Sequence, residues 1–213
     1  MSNYEVFKEV LVVLYYLAGI GLFSGIVIAL RQLKVMKDDI RIKNKRASVN
    51  KSIEYLNWFA TEFIPESDEY YGKLIGKKIN LYDKLKQYDF NYNEEVNQKS
   101  KTVMDSIKIK KECGAGNLNN QLEFFSAAMM SGLADEELAF NPLAEAFCEY
   151  VEINYDVYCD SRKGGRDRLF SHTIALYKMW HERLESIGLS KEKQKIEEKM
   201  SKMTGQRVKI LGN

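Results

Sequence analysis

Histidine, proline and cysteine are all scarce in this chain, with 2, 2 and 3 copies in 213 residues. None of Cys113, Cys148 and Cys159 forms a CxxC pair, and no HExxH occurs, so no metal centre or other cofactor is implied. The odd cysteine count and irregular spacing exclude a disulfide framework and suit a reducing compartment. With only Pro65 and Pro142 to interrupt them, long stretches are free to be helical. Charge is nearly balanced, at a formal +2, so no acidic or basic partner is announced. There is no glycine-rich phosphate loop, nucleophile elbow, internal repeat or low-complexity tail.

One long apolar run stands out. Val10 to Leu30 (VLVVLYYLAGIGLFSGIVIAL) carries no charge. About 20 apolar residues at 1.5 Å each cross a hydrocarbon core of roughly 30 Å. A cleaved signal peptide would have a shorter apolar core, positive charge before it and a small-residue cleavage site after it. Here residues 1–9 are near neutral and the run ends in Arg31, Gln32 and Lys34. The segment reads as a retained anchor. Arg31, Lys34, Lys37, Arg41, Lys43, Lys45 and Arg46 follow it, whereas Lys8 is the only basic side chain before it. That asymmetry predicts a single-pass protein with the C-terminal part in the cytoplasm. The basic run reads as a stop signal, with Arg31, Lys34 and Lys37 meeting anionic lipid head groups; nucleic-acid binding is the alternative.

Within the run, Gly21 and Gly25 form a small-xxx-small pair that lets helix backbones approach in lipid. Glycine is also common in membrane helices generally, so the motif is suggestive only alongside other signs of assembly. A lone span cannot form a channel without oligomerising.

The rest reads as all-α. Leu33, Met36, Ile40, Ala47, Ile53, Leu56, Ala60 and Phe63 recur with a helical period, which predicts one long basic helix over 31–64, ended by Pro65. A helical domain over 65–213 is then expected. Its helices are predicted at Ser67–Tyr88, Glu94–Glu112, Leu118–Gly132, Pro142–Asp160, Arg166–Ile187 and Lys191–Met203. A turn at Asn91–Asn93, a stop at Gly114-Ala115-Gly116, a start at Asn141-Pro142, a break at Gly164-Gly165 and a cap at Ser190 punctuate them. Only Arg207–Leu211 has any strand character.

Reactive constellations are few. Arg166 and His172 form an R-x5-H pair, and Arg168 lies four residues before His172. A histidine that moves a proton and an arginine that holds a phosphate could together cleave RNA through the 2′-hydroxyl without a metal. Such spacing is common by chance, so Arg166 and His172 serve equally well as structural residues. No basic stripe with interleaved aromatics supplies an RNA surface, so RNA as a partner lacks support beyond this pair.

One span, a basic exit helix, a helical domain and the late Arg166-Asp167…His172 motif together resemble the small membrane-anchored, HEPN-like accessory proteins of type VI-B CRISPR systems. The resemblance covers the whole layout. It implies a homo-oligomeric, ring-like pore that depolarises the membrane and assists an RNA-guided, RNA-cleaving effector against phage. It also implies that the HEPN-like bundle is chiefly a scaffold. A membrane-tethered interaction module and a HEPN-type metal-independent ribonuclease remain as alternatives.

Overall fold

The computed structural model describes residues 3–77, 79, 90 and 101–204. Among them the helices are joined by turns and loops, with no strand. The predicted turn at Asn91–Asn93, the predicted helix segments over 80–88 and 94–100, and the strand-like Arg207–Leu211 lie outside the described residues. The chain divides into two units, Met1–Ala47 and Ser48–Asn213, and the division falls inside helix α1 (Asn3–Trp58), not at Pro65.

The first unit is helix alone. Its large apolar side chains face outward, Leu22 at 71%, Phe23 at 70% and Ile20 at 64% exposure. One helix is long and apolar enough to cross a membrane, and its apolar window is wholly uncovered.

The second unit begins where the same helix acquires a core face. Ser52, Phe59 and Phe63 are buried. Pro65 was expected to end the helix, but the helix continues. A π-turn over Phe59–Phe63 leads directly into α2 (Ile64–Gly76), and Ile64 N–H donates to the Phe59 carbonyl, one residue further back than in an α-helix. The wider turn gives the proline ring room against the carbonyl behind it, and Pro65 falls in the first turn of α2, where a missing N–H is tolerated. The Thr61 hydroxyl donates to the Asn57 carbonyl at 2.8 Å, which satisfies an acceptor in the altered ladder.

Helix α3 (Lys101–Glu112) ends at Gly114, whose φ of 114° only glycine adopts without strain. The stop is Gly114 alone, because Ala115 and Gly116 already belong to α4 (Ala115–Met130).

Helix α5 (Glu136–Ile153) also differs from expectation, since Pro142 lies inside it and does not start it. Asp135 is the extended residue at its start, and the Ser52 hydroxyl accepts the Asp135 N–H. Glu136 and Glu137 suit the positive end of the helix. An interior proline costs about 3 kcal/mol. Burying Ala139, Phe140, Leu143 and Phe147 on one face outweighs that, at about 1.5–3 kcal/mol for each large side chain.

The helix expected over Pro142–Asp160 is two helices. Asn154, at φ −100° and ψ 13°, separates α5 from α6 (Tyr155–Arg162). Its amide donates to the Tyr150 carbonyl at 3.0 Å and its oxygen accepts from the Tyr70 hydroxyl, so the side chain competes with the ladder it interrupts. Gly164 and Gly165, at φ 74° and 82°, make the predicted break. Helix α7 (Ser171–Thr204) then runs unbroken through Gly188 and Ser190, where two helices were expected. A single glycine costs only about 1 kcal/mol in a helix, and no proline follows to enforce a stop.

Helices α4 and α5 both pack on α7. Between them Trp180 meets Phe147 edge-on at 5.0 Å and Phe140 at 5.8 Å, while Phe125 meets Phe59 at 5.5 Å. Such pairs add about 0.5–1.5 kcal/mol each beyond area burial.

Candidate functional site at the start of α7

The loop from Lys163 to Phe170 aims the residues singled out by the sequence. It closes on itself: Leu169 N–H donates to the Arg166 carbonyl at 3.0 Å, and the Arg162 guanidinium donates to the Leu169 carbonyl at 2.8 Å. Phe170 adopts a left-handed φ of 57°, and its ring packs edge-on against Tyr158 at 5.2 Å. Ser171 then opens α7.

Arg166 was expected to begin this helix. It lies before it, exposed, with Nε donating to the Lys163 carbonyl at 3.2 Å. Arg168 is likewise in the turn, so it does not share a helical face with His172. The double glycine and the left-handed Phe170 delay the helix to Ser171. Among the described residues no bond joins Arg166 to His172.

His172 has a partner that the sequence did not announce. Glu123, on α4, reaches across to the first turn of α7. Its Oε1 accepts the His172 N–H at 3.2 Å and meets the His172 Nδ1 at 2.8 Å. Its Oε2 accepts both the N–H and the hydroxyl of Thr173, each at 2.9 Å. The helix N-terminus thus gains an acceptor for two amides that have no partner within the helix. Burial alone would raise the Glu123 carboxyl. The bonds from the Thr173 amide, the His172 ring, the Thr173 hydroxyl and the His172 amide outweigh it and hold the group below its ordinary 4.5.

The Glu123 carboxylate fixes the His172 ring through Nδ1. Chemically that is a single oriented imidazole, half exposed at 52%. His181, later on α7, stacks on Tyr177 at 5.3 Å and lies between Glu152 and Glu185 at 3.4 and 3.3 Å. Among the described residues no group of histidine, cysteine and carboxylate side chains could hold a metal ion.

The membrane-facing candidates are uncovered. Nothing lies within 4 Å of where a Cβ would sit on Gly21 or Gly25. Arg31, Lys34 and Lys37 are exposed.

Two further features escaped the sequence reading. One is a groove of about 350 Å³ lined by Tyr55, Trp58, Phe124 and Phe125, with Lys51, Glu54 and Gln121 at its polar margin. Phe124 is 75% exposed there. The other is an ion pair, Lys110 with Asp156 at 2.8 Å, whose side chains are 0% and 3% exposed. Lys110 falls in the string KIKKE, which reads as a solvated face, and Glu123 is linked to residues 49 and 50 positions away. No local pattern encodes either contact.

No protein-family model, no curated protein and no solved structure matches this chain.

Proposed function

We propose that this chain is an oligomeric protein of the bacterial inner membrane whose assembly forms a pore-like structure. On this reading it assists an RNA-guided antiviral system, recruited through an RNA-targeting CRISPR effector, by depolarising the membrane. The span is Val10–Leu30 and the helical unit beyond it, a HEPN-like bundle, is cytoplasmic. The observation that carries the reading is the first unit: a helix of membrane-spanning length and composition with its apolar window wholly uncovered. A surface of that extent needs lipid, other copies, or both. The tie of His172 to Glu123, with Arg166 turned back on its own loop, favours a scaffolding over a ribonuclease role for that motif.

The test is reconstitution of the full chain into liposomes held at a potential and followed with a potential-sensitive dye. Dissipation of the potential, together with closed rings in particle images, is the expected result. A monomer in several detergents with no conductance refutes the pore reading.

A tethered interaction module is the second reading, favoured by the aromatic groove at Tyr55, Trp58 and Phe124. It differs in one outcome. Exchanging Val10–Leu30 for an unrelated span leaves a tether working and abolishes a pore.

A further inference from the structure

The apolar surface of α1 does not stop where the uncharged run stops. Leu33, Met36 and Ile40 lie beyond Arg31, and they are 61%, 60% and 56% exposed. They stand among Lys34, Lys37, Asp38, Asp39 and Arg41, so the segment is not a continuation of the span; a sparser apolar pair, Val35 and Ile42 at 64% and 50% exposure, lies on the opposite side of the helix. At 3.6 residues per turn, Leu33, Met36 and Ile40 fall within about 60° of one another, while Lys34, Asp38 and Lys45 centre roughly 140° away. The same face continues backward. Ile26, Leu33 and Ile40 are spaced by sevens, and so are Ala29 and Met36. A repeat of seven alternating steps of three and four is the pattern of a helix that packs along another helix.

We infer that α1 self-associates beyond the membrane surface, through a seam of Ile26, Ala29, Leu33, Met36 and Ile40 packed on the same seam of neighbouring, parallel copies. The inference rests on the anchored reading, because copies inserted in one membrane with one orientation present this face in parallel and at matching depth.

Three observations make a second copy the occupant. Nothing within the first unit covers the face. The seam is in register with the span, so helices that pair in lipid along Ile26 and Ala29 arrive already aligned at Leu33. The flanking positions are compatible with a parallel partner: Gln32 meets Lys37 and Asp39 meets Asn44 of the next copy, with no like-charge pair. The seam ends at Lys43, which takes the next inward position. The basic side chains Lys34, Arg41 and Lys45 remain outside, toward water and lipid head groups. Gly21 and Gly25 occupy a different face, about 80° around the helix from the seam. A two-fold pair uses one face of each helix, whereas a closed ring needs two. The two faces of α1 meet that need.

The test uses the full chain in native membranes, with single cysteines placed by Leu33→Cys, Met36→Cys and Ile40→Cys. Lys34→Cys, Asp38→Cys and Lys45→Cys are the opposite-face controls. Cys113, Cys148 and Cys159 are 9%, 4% and 0% exposed, and the chain without an added cysteine gives the baseline. A disulfide requires Cα atoms within about 7 Å, so mild oxidation should yield roughly fivefold more linked dimer at the three seam positions than at the controls. Equal linking at both faces overturns the inference. So do seam cysteines that stay unlinked but are shielded from a water-soluble thiol reagent, because they place the face on lipid. An alkaline wash of the same membranes separates the two readings. Protein that stays in the washed membranes without seam linking sinks the seam alone; protein that washes out sinks the anchor and the seam with it. In detergent, the doubly charged chain Leu33→Glu with Ile40→Glu should run at a lower oligomeric state than the parent, and an unchanged state counts against the seam.

Discussion

Removing one member of the Lys110–Asp156 pair should destabilise the Ser48–Asn213 unit far more than removing both. Lys110 Nζ donates to Asp156 Oδ1 at 2.8 Å and to the Ile153 carbonyl at 2.7 Å. Asp156 Oδ1 also accepts the Val157 N–H at 2.9 Å, while its Oδ2 has no hydrogen-bond partner among the described residues. In Lys110→Met the carboxylate keeps a single amide donor in a site only 3% exposed. Breaking a buried pair in this way costs about 3–5 kcal/mol, because a charge is left without compensation. The reciprocal Asp156→Leu deprives the buried ammonium of its carboxylate and should cost a similar amount. The double variant leaves no charge behind. Methionine matches the lysine stem in length, so its cost should fall to about 1 kcal/mol or reverse sign. The assay is thermal and urea unfolding of the four proteins, followed by circular dichroism in one detergent. At about 2–4 °C per kcal/mol for a domain of this size, the single variants should melt roughly 10 °C below the parent. Single losses under 1 kcal/mol, or a double variant that loses the sum of the two, would refute the reasoning.

Glu123→Gln should cost about 1–2 kcal/mol by weakening the cap on α7. The Glu123 carboxyl is lowered in the folded chain, so its contribution is complete above about 4.5 and is lost as pH falls through the folded value. Urea midpoints measured across the acid range should therefore converge for parent and variant at low pH, and a constant gap would contradict the assignment. Trp180→Phe keeps most of the ring packing but loses the Nε1–H donated to Glu136 at 2.6 Å. It should cost about 1–3 kcal/mol in the same titration. Gly188→Ala should stabilise the chain by about 0.5–1 kcal/mol, because Gly188 lies in the middle of α7 with nothing within 4 Å of an added Cβ. A loss in its melting temperature would mean a hinge at Gly188 in place of a continuous helix.

The sequence announces helix content and the buried faces well, because both follow from short-range periodicity. Phe125, Phe147 and Trp180 are buried where the pattern puts apolar faces. Boundaries are less legible, since each is a contest between a local breaker and distant packing. Pro65 loses that contest to a π-turn, Pro142 to the burial of Phe140 and Phe147, and Gly188 to the absence of any reinforcing signal. Asn154 wins it, although nothing near it in sequence marks a break, because Tyr70 arrives from 84 residues away to hold its side chain. At the candidate site the sequence selects His172 but not Glu123, the residue that fixes it. It also places Arg166 on the wrong side of the helix start, because the left-handed turn at Phe170 has no glycine to signal it.

The two units differ in what they leave unsatisfied, and the difference bears on function. In the second unit several polar side chains are tied into the structure. Tyr70, Asn154, Tyr150 and Asn119 form a buried chain, with Tyr70 donating to Asn154 and Tyr150 donating to Asn119 at 3.1 Å. Lys110 is tied to Asp156, and Glu123 holds the start of α7. Catalysis needs several oriented groups that converge on space open to a substrate. Among the described residues the group that converges on His172 is Glu123, and both of its oxygens already accept from the helix it caps. What the first unit leaves over is apolar area in quantity, on a helix whose charged side chains from Arg31 to Arg46 are exposed. An excess of that kind is relieved by lipid and by helices of the same length and pattern. On the reading proposed above, the work of this protein is therefore sought first in the contacts made by α1.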